Sequence, residues 1–254
     1  MRKRFNDIFC VFQIHLARLR AEAGPFFLAA IVYPTGMYLF ASGIAKQTLI
    51  VEIPNNYKLH LIAASLVFSL SLTAISWFGY LLLENRFTGR LKLFATLPLR
   101  PTSYIFGVLI FAIGQGALGT ISMFIAAWFL GVTTQFSGAL GIAELALVVF
   151  LALMSLSGIS IVIAARARSF SEGSLLTDAL GAGMVLLAPI YYPRETFPEA
   201  IRWVGDFLPT TYIFKAIDKV VAGDTFIWNE VGTLAAIAAI VLTVGFWQLN
   251  WREN

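Results

Sequence analysis

Residues 84–104 read Glu84-Asn85-Arg86-Phe87-Thr88-Gly89-Arg90-Leu91-Lys92-Leu93-Phe94-Ala95-Thr96-Leu97-Pro98-Leu99-Arg100-Pro101-Thr102-Ser103-Tyr104, a charged interruption between two long apolar runs. Four basic side chains (Arg86, Arg90, Lys92, Arg100) stand against one acid, Glu84. Short basic loops stay on the cytoplasmic side during insertion, so the segment is expected there. Leu91, Phe94 and Leu97 recur at helical spacing, which predicts a short amphipathic helix. Pro98 and Pro101 end it, because a ring nitrogen has no donor and clashes with the preceding turn.

Working outward, 59% of the 254 residues are hydrophobic and the mean hydropathy is +0.80. So much apolar surface cannot be hidden in one water-soluble core, and a bilayer must act as solvent. About 20 apolar residues span the hydrocarbon, and six such runs are expected, at 26–45, 59–83, 104–130, 140–164, 175–191 and 231–249. The fold expected is therefore all-α and polytopic. Twelve of the eighteen Lys and Arg (Arg2, Lys3, Arg4, Arg18, Arg20, the four above, Arg166, Arg168, Arg252) fall on one side of these spans. The rest (Lys46, Lys58, Arg194, Arg202, Lys215, Lys219) lie opposite, which places both termini in the cytoplasm of an inner, plasma membrane. This bias accounts for the net charge of +4 and leaves no reason to invoke nucleic acid.

The start, 5–22, is amphipathic rather than continuously apolar, so an uncleaved interfacial helix is expected over 1–24, with Phe5, Ile8, Phe9, Phe12, Leu16 and Leu19 on one face. Before the last span, 188–224 predicts two short amphipathic helices. Thr196 and Glu199 have capping-box spacing. Ile201, Val204 and Leu208 line one helix; Ile213, Ile217, Val220 and Val221 line the other.

Catalytic chemistry has no visible constellation. Cys10 is alone, and His15 and His60 are far apart with no metal-ligand spacing. Neither a Gly-x-Ser-x-Gly elbow nor a His-Glu-x-x-His helix is present, and no Gly-Lys pair exists to cradle a nucleotide phosphate. If ATP drives this protein, another chain binds it. Within the spans, Gln115 and Asp178 are candidates for a translocation path, because polar groups in hydrocarbon are costly. Glu144 lies a turn into the fourth span. Gly114, Gly116, Gly119, Gly181 and Gly183 suggest close helix approach.

The order Glu84, Gly89, Leu91, Leu93, Thr96, Pro98, Tyr104, Gly107 resembles the cytoplasmic loop of the ABC-2 family of ATP-binding-cassette permeases. Tyr192-Pro193, Phe197-Pro198 and Leu208-Pro209-Thr210-Thr211-Tyr212 look like that family's ending before the last span. Lys92 departs from the pattern, standing where a second acid is often found. The resemblance implies one transmembrane domain over 1–254: the interfacial helix, spans one to five over 26–191, an outer re-entrant segment over 192–228, and a last span over 231–249. It assigns ATPase coupling to Glu84, Arg86, Gly89, Arg90, Leu91, Phe94, Thr96 and Pro98. It assigns an outer gate to Tyr192, Pro193, Phe197, Pro198, Pro209 and Tyr212. Two copies of the permease, most simply a homodimer, would join two cytoplasmic ATPase subunits that carry ATP and Mg²⁺, with no cofactor on this chain and export as the direction. An ion-coupled carrier or channel without an ATPase, and a non-transporting scaffold, stay open as alternatives.

Overall fold

Twelve α-helices and two wide π-turns make up the described parts of the chain; the computed structural model describes residues 2–21, 23–48, 55–96, 100–191, 197–224 and 226–248. They are α1 (Arg2–Ala21), α2 (Ala23–Phe27), α3 (Tyr33–Thr48), α4 (Asn55–Ser71), α5 (Phe78–Phe87), α6 (Arg90–Thr96), α7 (Pro101–Phe129), α8 (Gly138–Arg166), α9 (Phe170–Leu187), α10 (Glu199–Phe207), α11 (Pro209–Ala222) and α12 (Trp228–Gln248). The π-turns, Leu28–Val32 and Leu72–Trp77, join α2 to α3 and α4 to α5 without a break.

Among the described residues, four helices are long and apolar enough to cross a membrane: Asn56–Phe87, Thr102–Phe129, Gly138–Arg166 and Trp228–Gln248. They match the second, third, fourth and sixth expected spans, and the chain is an all-α integral membrane protein. The first expected span is present as a shorter apolar stretch, Leu28–Ile44. The fifth falls on α9, whose first half carries Glu172 and Asp178.

Two clusters of buried side chains hold the bundle. The larger joins α4, α8 and α11 through residues such as Ile62, Leu66, Leu153, Ile213 and Ile217. The smaller lies at the α6 end, around Val11, Phe78, Leu83, Tyr104, Ile105 and Ala164. Close approach relies on missing side chains: a Cβ on Gly158 would lie 2.8 Å from Val241 Cγ1 of α12, and one on Gly116 2.8 Å from Leu153 Cδ1. Gly119 and Gly181 are similarly crowded, whereas Gly114 and Gly183 face open space, so only part of the expected glycine packing is realised.

The wide turn at Leu72–Trp77 frees backbone carbonyls that a regular helix would use, and in hydrocarbon these need partners. Ser160 of α8 supplies them, donating to the carbonyls of Ala74 (2.7 Å) and Ile75 (3.1 Å). Ser71 donates to Gly181 of α9 at 2.8 Å. Three helices are thus bonded around one irregular turn.

The N-terminal helix departs from its expected single apolar face. Val11 and His15 are the buried positions, set against α7, where a Cβ on Gly107 would strike Val11 at 2.6 Å. Phe9 and Leu16, expected on the same stripe, are exposed instead. α1 is therefore apolar on two sides, one facing α7 and one facing outward.

Candidate functional site

The described residues of the interruption, 84–96 and 100–104, form a bracket beneath α5 and α7. Gly89 adopts φ +78°, a conformation that costs an L side chain about 1–2 kcal/mol, and this lets α6 start immediately after α5 ends. Its carbonyl accepts from the amides of Lys92 (3.1 Å) and Leu93 (3.3 Å), while the Thr88 hydroxyl and amide both return to the Glu84 carbonyl. Arg90 donates to Glu84 Oε1 at 3.1 Å across the same turn. Both groups are partly solvated, so the pair sets geometry more than it stabilises.

Two further bonds pin the bracket to the bundle. Asn85 Nδ2 donates to the Tyr104 hydroxyl at 2.7 Å with both residues buried, and the Phe94 ring lies 5.3 Å from that of Tyr104. Arg86 Nη1 donates to the carbonyls of Ala164 (2.5 Å) and Ala167 (2.9 Å) at the end of α8. A cation there complements the negative helix terminus and satisfies carbonyls that lack intrahelical donors. The Arg86 side chain is thereby directed inward.

Leu91 and Phe94 pack against the smaller core, as their spacing predicts. Leu97 and Pro98 lie outside the described residues. The outward side of α6 carries Arg90, Lys92, Leu93 and Thr96, with Leu93 66% exposed and Phe87 beside the turn at 40%. Sequence reading missed Leu93 as a surface group. Its place one turn from Arg90 and Thr96, out of phase with Leu91 and Phe94, is the signal that could have found it.

The turn from α8 into α9, around Arg166, Arg168 and Glu172, is capped from within. Ser169 Oγ accepts from the Glu172 amide at 3.1 Å, and Glu172 Oε2 accepts from the Arg168 amide at 2.9 Å. A Ser-x-x-Glu signal, overlooked there, starts α9. Arg166 Nε donates to Gln248 Oε1 at 2.9 Å, tying α8 to the end of α12.

At the other end of the bundle, Tyr192, Pro193 and Thr196 lie outside the described residues. The expected capping box is corrected by the helix start: α10 begins at Glu199 with Pro198 as its N-cap, placing Glu199 in the first position rather than the third. Arg202 Nε donates to the Phe197 carbonyl at 2.8 Å instead. Leu208 is extended and turns the chain into α11, with Pro209 buried at its first position, where the absent N–H costs nothing. Thr210 donates to the Met184 carbonyl (2.8 Å) and Thr211 to the Gly205 carbonyl (2.6 Å). Ile213, Ile217, Val220 and Val221 are all buried, as expected, while Tyr212 is half-buried with Lys215 Nζ 5.7 Å above its ring.

Among the polar groups of the spans, Gln115 and Asp178 are connected through Tyr80 and Trp77, which line the cavities of both. Gln115 is 5% exposed, and its amide nitrogen has no partner among the described residues. It lines a cavity of about 110 Å³ together with Phe26, Trp77, Tyr80, Glu84 and Phe111. Asp178 accepts from the Tyr80 hydroxyl and borders a neighbouring cleft that also includes Trp77, Thr73 and Tyr33. Glu144 is buried, and its Oε2 is without a partner among the described residues. His60 lies 2.9 Å from the Ile190 carbonyl and 3.8 Å from Asp218. No group of three or more His, Cys, Asp or Glu among the described residues is placed to hold a metal ion.

Comparison with known families gives a direct match: the model of the ABC-2 type transporter family covers residues 17–221, and the chain belongs to that family. No curated protein matches it. Membership makes the chain a membrane permease component of an ABC transporter.

Proposed function

We propose that this ABC-2 permease works as a homodimer with two cytoplasmic ATPase subunits and exports an amphipathic substrate across the inner membrane. Each copy crosses the membrane six times, with Leu28–Ile44 and α9 as the first and fifth spans and both termini in the cytoplasm. α1 lies at the cytoplasmic interface. α6 is the coupling helix, and α10 with α11 forms a half-inserted plug before the last span, near an outer gate that includes Phe197, Pro198, Pro209 and Tyr212. ATP and Mg²⁺ belong to the partner subunits.

The observation that carries this reading is the build of α6. A helix started by Gly89 and the Glu84–Arg90 pair and packed through Phe94 on Tyr104, yet presenting Leu93 outward, is shaped to transmit a push from outside the chain. Closure of the ATPases would move α6, and Arg86 would pass that movement to α8. Pairing of two permeases is supported by Asp178, an exposed carboxylate beside the exposed apolar side chains of Leu175, Leu176 and Leu180 on α9, which a second copy would shelter.

The test is affinity purification from mild detergent or nanodiscs with mass spectrometry of co-purifying chains and an ATPase assay. A stoichiometric ATPase subunit supports the proposal. Reproducible absence of one overturns it and favours an ion-coupled carrier.

A further inference from the structure

The cavity between α1, α5 and α7 differs from the rest of the interior in what lines it. Phe26, Trp77, Tyr80 and Phe111 give it aromatic walls, and Glu84 stands at its α6 end. Among the described residues, neither Lys nor Arg lines it, and its one basic side chain is the imidazole of His15 on α1, whose ring centroid lies 5.8 Å from that of Phe111. Aromatic faces carry negative potential and attract cations, most strongly where water is excluded. The Tyr80 hydroxyl donates to Asp178, so a second carboxylate stands behind one of these rings. Glu84 shares one oxygen, Oε1, with Arg90, and that pairing lies on the exposed side of the turn. The walls therefore favour a positive or neutral guest over an anion.

Deeper in the same cavity the Gln115 amide nitrogen is buried and unpartnered among the described residues. A donor left so in hydrocarbon is costly, and an acceptor oxygen on a guest would satisfy it. Size sets the third constraint. Pockets that enclose a whole drug-sized ligand measure about 300–1,000 Å³, so a cavity of about 110 Å³ takes one end of a molecule. The other end must remain in the bilayer.

We infer that this cavity is a binding site for the head of a cationic amphiphile: an ammonium group against Phe26, Trp77 and Phe111, an ester or carbonyl oxygen on Gln115, and an alkyl tail left in the membrane. The inference rests on the permease reading only for its consequence, loading of cargo from one leaflet. The site itself is a property of this chain alone.

Equilibrium dialysis of radiolabelled lauroylcholine against nanodiscs with and without the permease, no ATPase present, tests it. The comparison ligand is 3,3-dimethylbutyl laurate, in which carbon replaces the charged nitrogen. Saturable binding is expected above the empty-disc level, at least tenfold tighter for the cation than for its neutral isostere. Phe111→Leu and Gln115→Leu should each weaken the cation about fivefold or more while leaving the thermal melt unchanged. Equal binding of the two esters by the wild-type protein overturns the inference, as does indifference of the cation to both substitutions. Because the assay contains no ATPase and reads no transport, its failure is distinct from failure of the permease proposal.

Discussion

α6 and α11 are both short amphipathic helices entered through a backbone corner, yet they end in opposite circumstances. α11 buries its whole apolar face in the larger core, with its first two threonines bonded to carbonyls of α9 and α10. α6 buries Leu91 and Phe94 and turns Leu93 outward. The difference lies in what each helix finds within its own chain. α11 is enclosed by α4, α8 and α12, whereas α6 has the bundle on one side only. A helix enclosed in this way stabilises the fold; one half covered is available to a partner.

That contrast is broken most severely at its two positive-φ glycines. Gly89→Val should leave insertion intact and lower stability by only about 1–2 kcal/mol, but reduce substrate-stimulated ATPase activity of the reconstituted complex more than tenfold, since the bracket can no longer form its turn. Gly223→Val should do the reverse. Gly223 ends α11 at φ +87°, and any Cβ there runs into the Gln135 carbonyl, so the variant should lose about 2 kcal/mol of stability or more in a detergent melt. Coupling lost at Gly223 with stability unchanged would reverse the roles assigned to the two helices.

Leu93→Glu and Leu91→Glu sharpen the comparison within α6 itself. The first should cut retention of the ATPase subunit about tenfold with an unchanged melt; the second should lower the melt, because a carboxylate would enter the smaller core. Smaller again are Tyr104→Phe and Thr211→Val, one for each region. Each removes a buried side-chain hydrogen bond and should cost about 1–2 kcal/mol in equilibrium unfolding.

The mildest effect concerns Asp218 on α11. Burial raises its carboxyl above the usual carboxylate range, and the nearby His60 pulls it partly back. A raised acid is held more firmly in its protonated form when folded. Its contribution is therefore full below the usual carboxylate pKa and is lost as pH rises through the raised value. Asp218→Asn should flatten that decline in melts taken across acid to neutral pH, while an identical slope in wild type and variant would show that Asp218 does not set it.

Much of this was legible in local spacing. Leu91 and Phe94 declared their inward face by helical period, and Ile213, Ile217, Val220 and Val221 named the buried side of α11. What escaped depended on partners far away in the chain. Arg86 read only as one of four basic loop residues and a coupling residue, because the carbonyls it meets, on Ala164 and Ala167, lie 78 and 81 residues away. α1 offered one apolar stripe to inspection, but α7 selected Val11 and His15 because Gly107 opened space there. The Gln115 cavity needed three helices at once, and no window of sequence contains them.

The wide turn at Leu72–Trp77 carries a consequence of phase. A π-turn accommodates an extra residue without rotating the helix beyond it, whereas one residue added to or removed from a regular α-helix swings everything downstream by about 100°. The segment thus acts as slack in an otherwise rigid shaft. Deleting Leu72 should let the turn tighten to ordinary pitch and keep Tyr80 and Glu84 at their bearings. Deleting a residue from α4, above the slack, should turn both away from their partners unless the wide turn absorbs the change. The same looseness would let the lower half of the shaft ratchet by one residue while its upper half stays clamped in the core.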